Sequence, residues 1–263
     1  MTLIKSAYFK GVRIGRSNTF NPALPGLMMW CEADYDVTLS GNNIESVRDR
    51  SGFDNTIQYV SESNRPQLVT SSAGFKVVQN NGVRYGNIIN PEEKNWNAIL
   101  RQQPFGIFTM LSKSNFGGGT RILQNVVSGP NEMRFWVTNA GSVDYTFRNS
   151  NGIQLSVSSG TGLVPGNMIT FATVDLICYG PGNNPRLELF VNNSSVATLA
   201  TSNVTGLETV GTDFRVYGTY GGNSFNQFPI ILVYDWTGYS VAEINNFRQR
   251  INNLREEKYG VTF

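Results

Sequence analysis

The sequence predicts an all-β fold, a two-sheet antiparallel sandwich with one C-terminal amphipathic helix and an extended N-terminal arm. Three observations predict it. From Leu27 onward, short runs rich in Val, Ile, Phe and Tyr alternate with Gly/Asn/Ser clusters, the signature of strands and tight turns. Turn-forming residues are abundant, with 30 Asn beside 27 Gly in 263 residues, more than a helical protein would carry. A helical period of apolar residues stands out at Val241, Ile244, Phe247, Ile251 and Leu254.

Residues 1–24 form the arm and its hinge. Lys5, Lys10, Arg13 and Arg16 break the apolar runs of the first eighteen residues, so no signal-peptide core is written there and export is not expected. Asn21-Pro22-Ala23-Leu24-Pro25-Gly26 breaks any regular element and predicts a hinge. Residues 25–263 then form one domain. Strands are predicted at Ile107–Leu111, Arg121–Val127, Met133–Thr138, Val143–Phe147, Ile153–Val157, Met168–Leu176, Arg186–Val191, Phe214–Tyr217 and Ile230–Tyr234, with turns at such points as Gly141-Ser142 and Asn192-Asn193. The helix is predicted over 240–259. Ser240 with Glu243 makes a capping box, Gly260 supplies a left-handed terminus, and the opposite face is charged and amide-rich.

Composition removes several function classes. The chain has no His, which takes away the usual general base, the commonest metal ligand and every Ser/His or Cys/His arrangement. The formal net charge is +2, with only 15% charged residues, so neither a strongly basic nucleic-acid binder nor an acidic tail is expected. No uncharged apolar stretch approaches the ~20 residues that span a bilayer, and no membrane partner is expected. Cys31 and Cys178 show no CxxC spacing; free buried thiols and a single bridge both stay open. The sequons at Asn193 and Asn203 fit chance matches in so Asn-rich a chain.

Three stretches resemble the concanavalin A-like jelly-roll family in its laminin-G-like form, especially the versions in bacteriophage particle proteins. Leu24-Pro25-Gly26-Leu27-Met28-Met29-Trp30-Cys31-Glu32-Ala33-Asp34, with Asp49-Arg50-Ser51-Gly52 and Arg65-Pro66-Gln67-Leu68, is similar to the family's opening. Asn81-Gly82-Val83 and Gln103-Pro104-Phe105-Gly106-Ile107-Phe108 resemble the strands that follow. Ile231-Leu232-Val233-Tyr234-Asp235, Ser240-Val241-Ala242-Glu243-Ile244 and Glu257-Lys258-Tyr259-Gly260-Val261 resemble its close. The resemblance covers about Leu24 to Val261 and implies a jelly-roll sandwich.

That sandwich hosts lectins, glucanases and architectural domains alike, so the site is argued separately. A retaining glucanase needs two carboxylates about 5.5 Å apart. The nearest acids, Asp175 and Glu188, have no acidic partner at i±2 or i±4, and both read as solvent-facing strand positions. Asn115-Phe116-Gly117-Gly118-Gly119-Thr120 lacks the Lys-Ser/Thr of a phosphate loop. No catalytic residue is assigned. Calcium is the one cofactor left open, through Asp34, Asp36, Asp49 and Asp54, although their spacing fits hydrogen-bonded turns better. Among Trp96, Trp136, Tyr145, Tyr217, Tyr220 and Trp236 as stacking platforms, Trp96 and Tyr220 stand out for their turn-rich surroundings. Trp136 could face either way, and Trp30 reads as core.

The arm carries Leu3, Ile4, Tyr8, Phe9, Val12, Ile14 and Phe20, too apolar for an idle tail, and it reads as an anchor to a partner. With the resemblance, this implies a non-enzymatic structural component of a bacteriophage particle, a surface decoration, fibre or tail protein located in the virion. Its partners would be other virion proteins through residues 1–24, and a homo-oligomer is compatible with the sequence. The alternative is a glycan-binding module whose ligand is a host-surface glycan; a glycosidase stands third.

Overall fold

A computed structural model of the chain describes residues 21–82, 85–89, 104–114, 118–126, 133–148, 154–180, 186–200, 213–220 and 225–261. In chain order the strands are β1 (Leu27–Glu32), β2 (Val37–Ser40), β3 (Asn43–Val47), β4 (Ile57–Gln58), β5 (Gln67–Thr70), β6 (Lys76–Asn81), β7 (Gly86–Ile88), β8 (Phe105–Lys113) and β9 (Gly119–Val126). They continue as β10 (Met133–Val137), β11 (Val143–Arg148), β12 (Gln154–Ser158), β13 (Ala172–Cys178), β14 (Arg186–Val191), β15 (Ser194–Ala200), β16 (Asp213–Tyr220) and β17 (Phe225–Asp235), followed by helix α1 (Val241–Tyr259). The fold is a jelly-roll-like antiparallel β sandwich with one C-terminal helix.

Two sheets can be followed through the pairing. The first runs β17–β8–β13–β14–β15, with β1 beside the C-terminal half of β17, β6 beside its N-terminal half, and β5 beyond β6. The second runs β2–β3–β4–β7–β16–β9–β10–β11–β12. A bridge at Asn43 and Gln67 joins β3 to β5. Between the sheets lies the main core, with Met29, Ile107, Leu111, Val174, Leu176, Ile231 and Val233 from the first sheet meeting Leu123, Phe135, Val143, Tyr145, Phe147, Phe214 and Val216 from the second.

The first sheet is buried on both faces. Its outer side carries Trp30, Phe108, Met110, Ile177, Phe190, Ile230, Leu232 and Tyr234, which pack with Ile244, Phe247, Ile251 and Tyr259 of α1 and with Trp236. Helix α1 thus covers this sheet, and every residue of β8 and β13 is buried. In the second sheet β10 and β11 alternate instead, burying every other residue, as a strand with one face on the core and one facing outward must, whereas Ile122, Leu123, Gln124 and Asn125 of β9 are all buried. We call them the covered sheet and the open sheet.

Local chemistry sets the boundaries. Both halves of the capping box form: the Ser240 hydroxyl accepts from the Glu243 amide, and the Glu243 carboxylate accepts from the Ser240 amide at 2.8 Å. Gly260 takes the left-handed conformation (φ 65°) and its amide donates to the Glu256 carbonyl at 2.9 Å. Asn192 and Asn193 both have positive φ, 48° and 64°, turning β14 directly into β15. Gly26 (φ 82°) lies so close to β17 that a Cβ there would meet the Asp235 carbonyl oxygen.

Three expectations change. The strand expected at Met168–Leu176 begins at Ala172, because the Asn167 side chain accepts from the amides of Ile169 and Thr170 and holds a turn. The buried stripe of α1 is Ile244, Phe247, Ile251, Asn252, Arg255 and Tyr259; Val241 is 38% exposed and Leu254 only half-buried. Two polar residues from the supposedly outward face therefore point into the molecule. The segment expected to be a hinge is fixed at its downstream end, with Leu24 buried and the Tyr234 hydroxyl donating to the Pro22 carbonyl at 2.8 Å.

Candidate functional site

The two strand acids come first. In register, one row on the covered face reads Trp30, Leu232, Phe108, Asp175, Phe190, Ser195. Asp175 therefore sits mid-sheet under α1, and its side chain is fully buried. It is not a solvent-facing position, as the sequence suggested, because the helix covers that face. Arg255 answers it bidentately, Nη1 to Oδ1 at 2.7 Å and Nη2 to Oδ2 at 2.8 Å, and also donates to the Thr109 carbonyl at 3.0 Å and to Asn252. Glu188 lies opposite Ile177, diagonal to Asp175 across β13 and β14. It too is not solvent-facing in the simple sense, being half-buried. It accepts from the Ser195 hydroxyl at 2.6 Å and pairs with Arg186 at 3.3 Å. Both carboxylates are thus held by structural partners.

The opening segment builds the second constellation. Asp49 is buried and works as a hub: its carboxylate accepts from the amides of Trp30, Ser51 and Asn55 at 2.8, 2.9 and 2.8 Å and from the Ser51 hydroxyl at 2.7 Å. These bonds tie β1 to the Asp49-Arg50-Ser51-Gly52 loop. Asp36 pairs with Arg48 at 3.4 Å, Asp34 with Lys258 at 3.1 Å, and Asp54 accepts from Thr56. The four acids raised for calcium are thus spread among separate partners. Among the described residues, no group of three or more His, Cys, Asp or Glu could hold a metal ion.

Beside them, Arg50 is clamped between two rings, 3.9 Å from the Trp30 centroid and 3.5 Å from the Tyr35 centroid. With both rings it lines a cleft of about 240 Å³, together with Asp36, Arg48, Asp49 and Gly52. Arg50 and Lys258 both reach the buried Glu32, at 3.2 and 2.7 Å. Burial pushes the Glu32 carboxyl up from its ordinary range, with Lys258 opposing. This network fastens the C-terminal turn of α1 to β1.

The aromatic candidates separate clearly. Tyr145, Tyr217 and Trp236 are core residues. Trp96 lies outside the described residues, as do the arm residues Leu3, Ile4, Tyr8, Phe9, Val12, Ile14 and Phe20. Tyr220 is described only through its backbone, paired with Gly119. Trp136 settles outward: it is half-buried on the open sheet, its ring 5.2 Å from the Arg134 guanidinium. A Cβ at Gly119 would collide with that ring, so glycine there lets the indole lie flat on the sheet. On the same face Arg215 stacks on Tyr85 at 4.1 Å. The alternation Phe135-Trp136-Val137 carried this signal, but only pairing fixes which member faces out.

Both cysteines are free and buried. Burial raises the Cys31 thiol well above its ordinary value and pushes Cys178 up to about 12, which makes them inert packing residues.

This geometry is that of a jelly-roll-like β sandwich. No protein-family model and no curated protein matches the chain; solved structures do. The binding domain of Paraclostridial Mosquitocidal Protein 1 matches with a TM-score of 0.62 at 10% identity, over 87% of this chain and 52% of that one. The binding domain of botulinum neurotoxin DC, solved with rat synaptotagmin II, gives the same values. Botulinum neurotoxin type C, described as dependent on two ganglioside molecules to enter cells, matches with a TM-score of 0.61 at 10% identity, over 86% of this chain and 51% of that one. The chain spans about half the length of these structures, and at such identity the likeness is one of fold. They supply no link to a virus particle; that placement stays with the sequence resemblance.

Proposed function

We propose that this chain is a non-catalytic recognition module that binds glycan-bearing surfaces. The observation that carries the reading is the fate of Asp175 and Glu188: one is locked by Arg255 beneath a helix, the other engaged by Arg186 and Ser195. Among the described residues these two strand acids form no poised carboxylate pair, which suits the sandwich to holding a sugar rather than cleaving it. The sandwich fold shared with a toxin binding domain, and with botulinum neurotoxin type C, whose cell entry is described as dependent on two ganglioside molecules, supports the same direction. The setting we propose is the surface of a bacteriophage particle, which rests on the sequence resemblance, with residues 1–20 as the anchor to other virion proteins.

A glycan array probed with the intact chain tests the reading. Retention of a defined subset of glycans is expected. An array without any retained glycan would remove the recognition role and leave an architectural one.

A further inference from the structure

We infer that Lys113 and Asn226 become joined by a covalent amide bond inside the sandwich, the Lys113 amine displacing the Asn226 side-chain nitrogen as ammonia. The two residues are directly opposed on the adjacent strands β8 and β17, which places their Cβ atoms about 4.5–5.5 Å apart. Both point between the sheets, since Leu111 and Phe228, two residues away on the same strand faces, belong to the main core. Both are fully buried.

Lysine is almost never fully buried unless it is paired, and three details fit this one to reaction with its neighbour. The open sheet holds both polar heads at one point. The Lys113 Nζ donates to the Thr138 carbonyl at 2.9 Å and the Thr120 hydroxyl donates to Asn226 Oδ1 at 2.6 Å, while Thr120 opposes Val137, the residue before Thr138. The Thr120 bond polarises the amide carbonyl and sits where the oxyanion of an attack on Cγ develops. The nitrogen that has to leave, Asn226 Nδ2, is buried without a hydrogen-bond partner. Asn80, the third amide of this row, is tied instead through its own nitrogen to the Tyr217 carbonyl.

The step balances within the chain. The lone pair of the neutral amine adds to Cγ, the carbonyl pair moves onto Oδ1, and its return breaks the bond from Cγ to Nδ2. The proton lost by Nζ leaves on Nδ2, so an amine and a primary amide become one secondary amide and ammonia. Hydrogen bonds from this nitrogen are donated through N–H, whereas the reaction uses the lone pair. Burial lowers the Lys113 pKa to about 8, and Asn226, Thr120 and Thr138, which meet it from β17, β9 and β10, carry no charge. The neutral amine therefore predominates at about pH 9. Holding it against its electrophile supplies the high effective concentration that an ordinary amide needs. None of these three groups is a carboxylate that could shuttle the proton, so the bond forms slowly, and until it forms Lys113 titrates as an amine.

The intact chain is weighed by mass spectrometry as purified and after standing at about pH 9. The expected product is lighter by one ammonia, and trypsin releases residues 102–121 and 216–248 as a single linked peptide. The linked peptide should accumulate more slowly at pH 6, where Lys113 is charged, and at least tenfold more slowly in Thr120→Val. It should be absent from Lys113→Met and from the parent chain held unfolded in urea, which serves as the control if the variant does not fold. Succinimide formation at an Asn-Gly pair such as Asn81-Gly82 removes the same mass, so an ammonia loss mapped there, or a link to Asn80, overturns the assignment. Unchanged mass with complete cleavage after Lys113 overturns the bond itself.

Discussion

Arg255 and Asp175 join the last helix to the middle of the covered sheet through two parallel hydrogen bonds of 2.7 and 2.8 Å, with both side chains shut away from solvent. They stand 80 residues apart, so the pair forms only once the helix has docked. Apart from Asn252 and the Thr109 carbonyl, which Arg255 also reaches, Phe108 lies 5.5 Å from the guanidinium carbon. Removing one partner strands a buried charge.

Asp175→Leu or Arg255→Met alone should therefore destabilise the protein by about 3–5 kcal/mol, whereas the double change Asp175→Leu/Arg255→Met should cost much less than the sum. Urea denaturation of the four proteins checks this. Additive losses would mean that the two residues do not act as a pair.

Phe247 packs on Trp236 and Tyr239, at ring distances of 6.2 and 5.3 Å, and is nearly buried. Phe247→Ala should lower stability by about 3 kcal/mol. An unchanged denaturation midpoint would mean that α1 does not rest on the sheet.

Much of the fold could be read from sequence because local signals and tertiary packing agree there. Capping residues, the Asn192-Asn193 turn and the alternating strands β10 and β11 depend on neighbours in the chain. Asp175, Asn252 and Arg255 escape the sequence pattern for one reason: a strand or helix pattern shows which residues share a face, not whether a second layer covers it. Strand β15 was missed because its sequence SSVATLA has little apolar content; pairing with β14 holds it in place. Trp136 stays open in the sequence for the related reason that pairing alone settles which way it faces.

Lys113 is buried at the end of β8, its ammonium donating to the Thr138 carbonyl at 2.9 Å, and burial lowers its pKa to about 8. The folded state then sheds this proton more readily than the unfolded chain does. Its destabilising contribution is full below pH 8 and is relieved as pH rises from about 8 to about 10.5. Stability measured across that window should climb less steeply in Lys113→Met than in the parent. Identical slopes would assign the pH dependence to other groups.

Deleting residues 1–20 should leave a folded sandwich, since the contacts of Pro22 and Leu24 are retained, yet abolish incorporation into particles. Wild-type occupancy of the truncated chain would remove the anchoring role and favour a free-standing module.

A non-catalytic recognition module holds glycans without cleaving them. Incubating the intact protein with the glycan it retains best, and following bound ligand and released reducing ends in one sample, separates the two behaviours. Saturable binding is expected, with the glycan recovered at its original length. Shortened products that disappear in Glu188→Gln would overturn the non-catalytic reading.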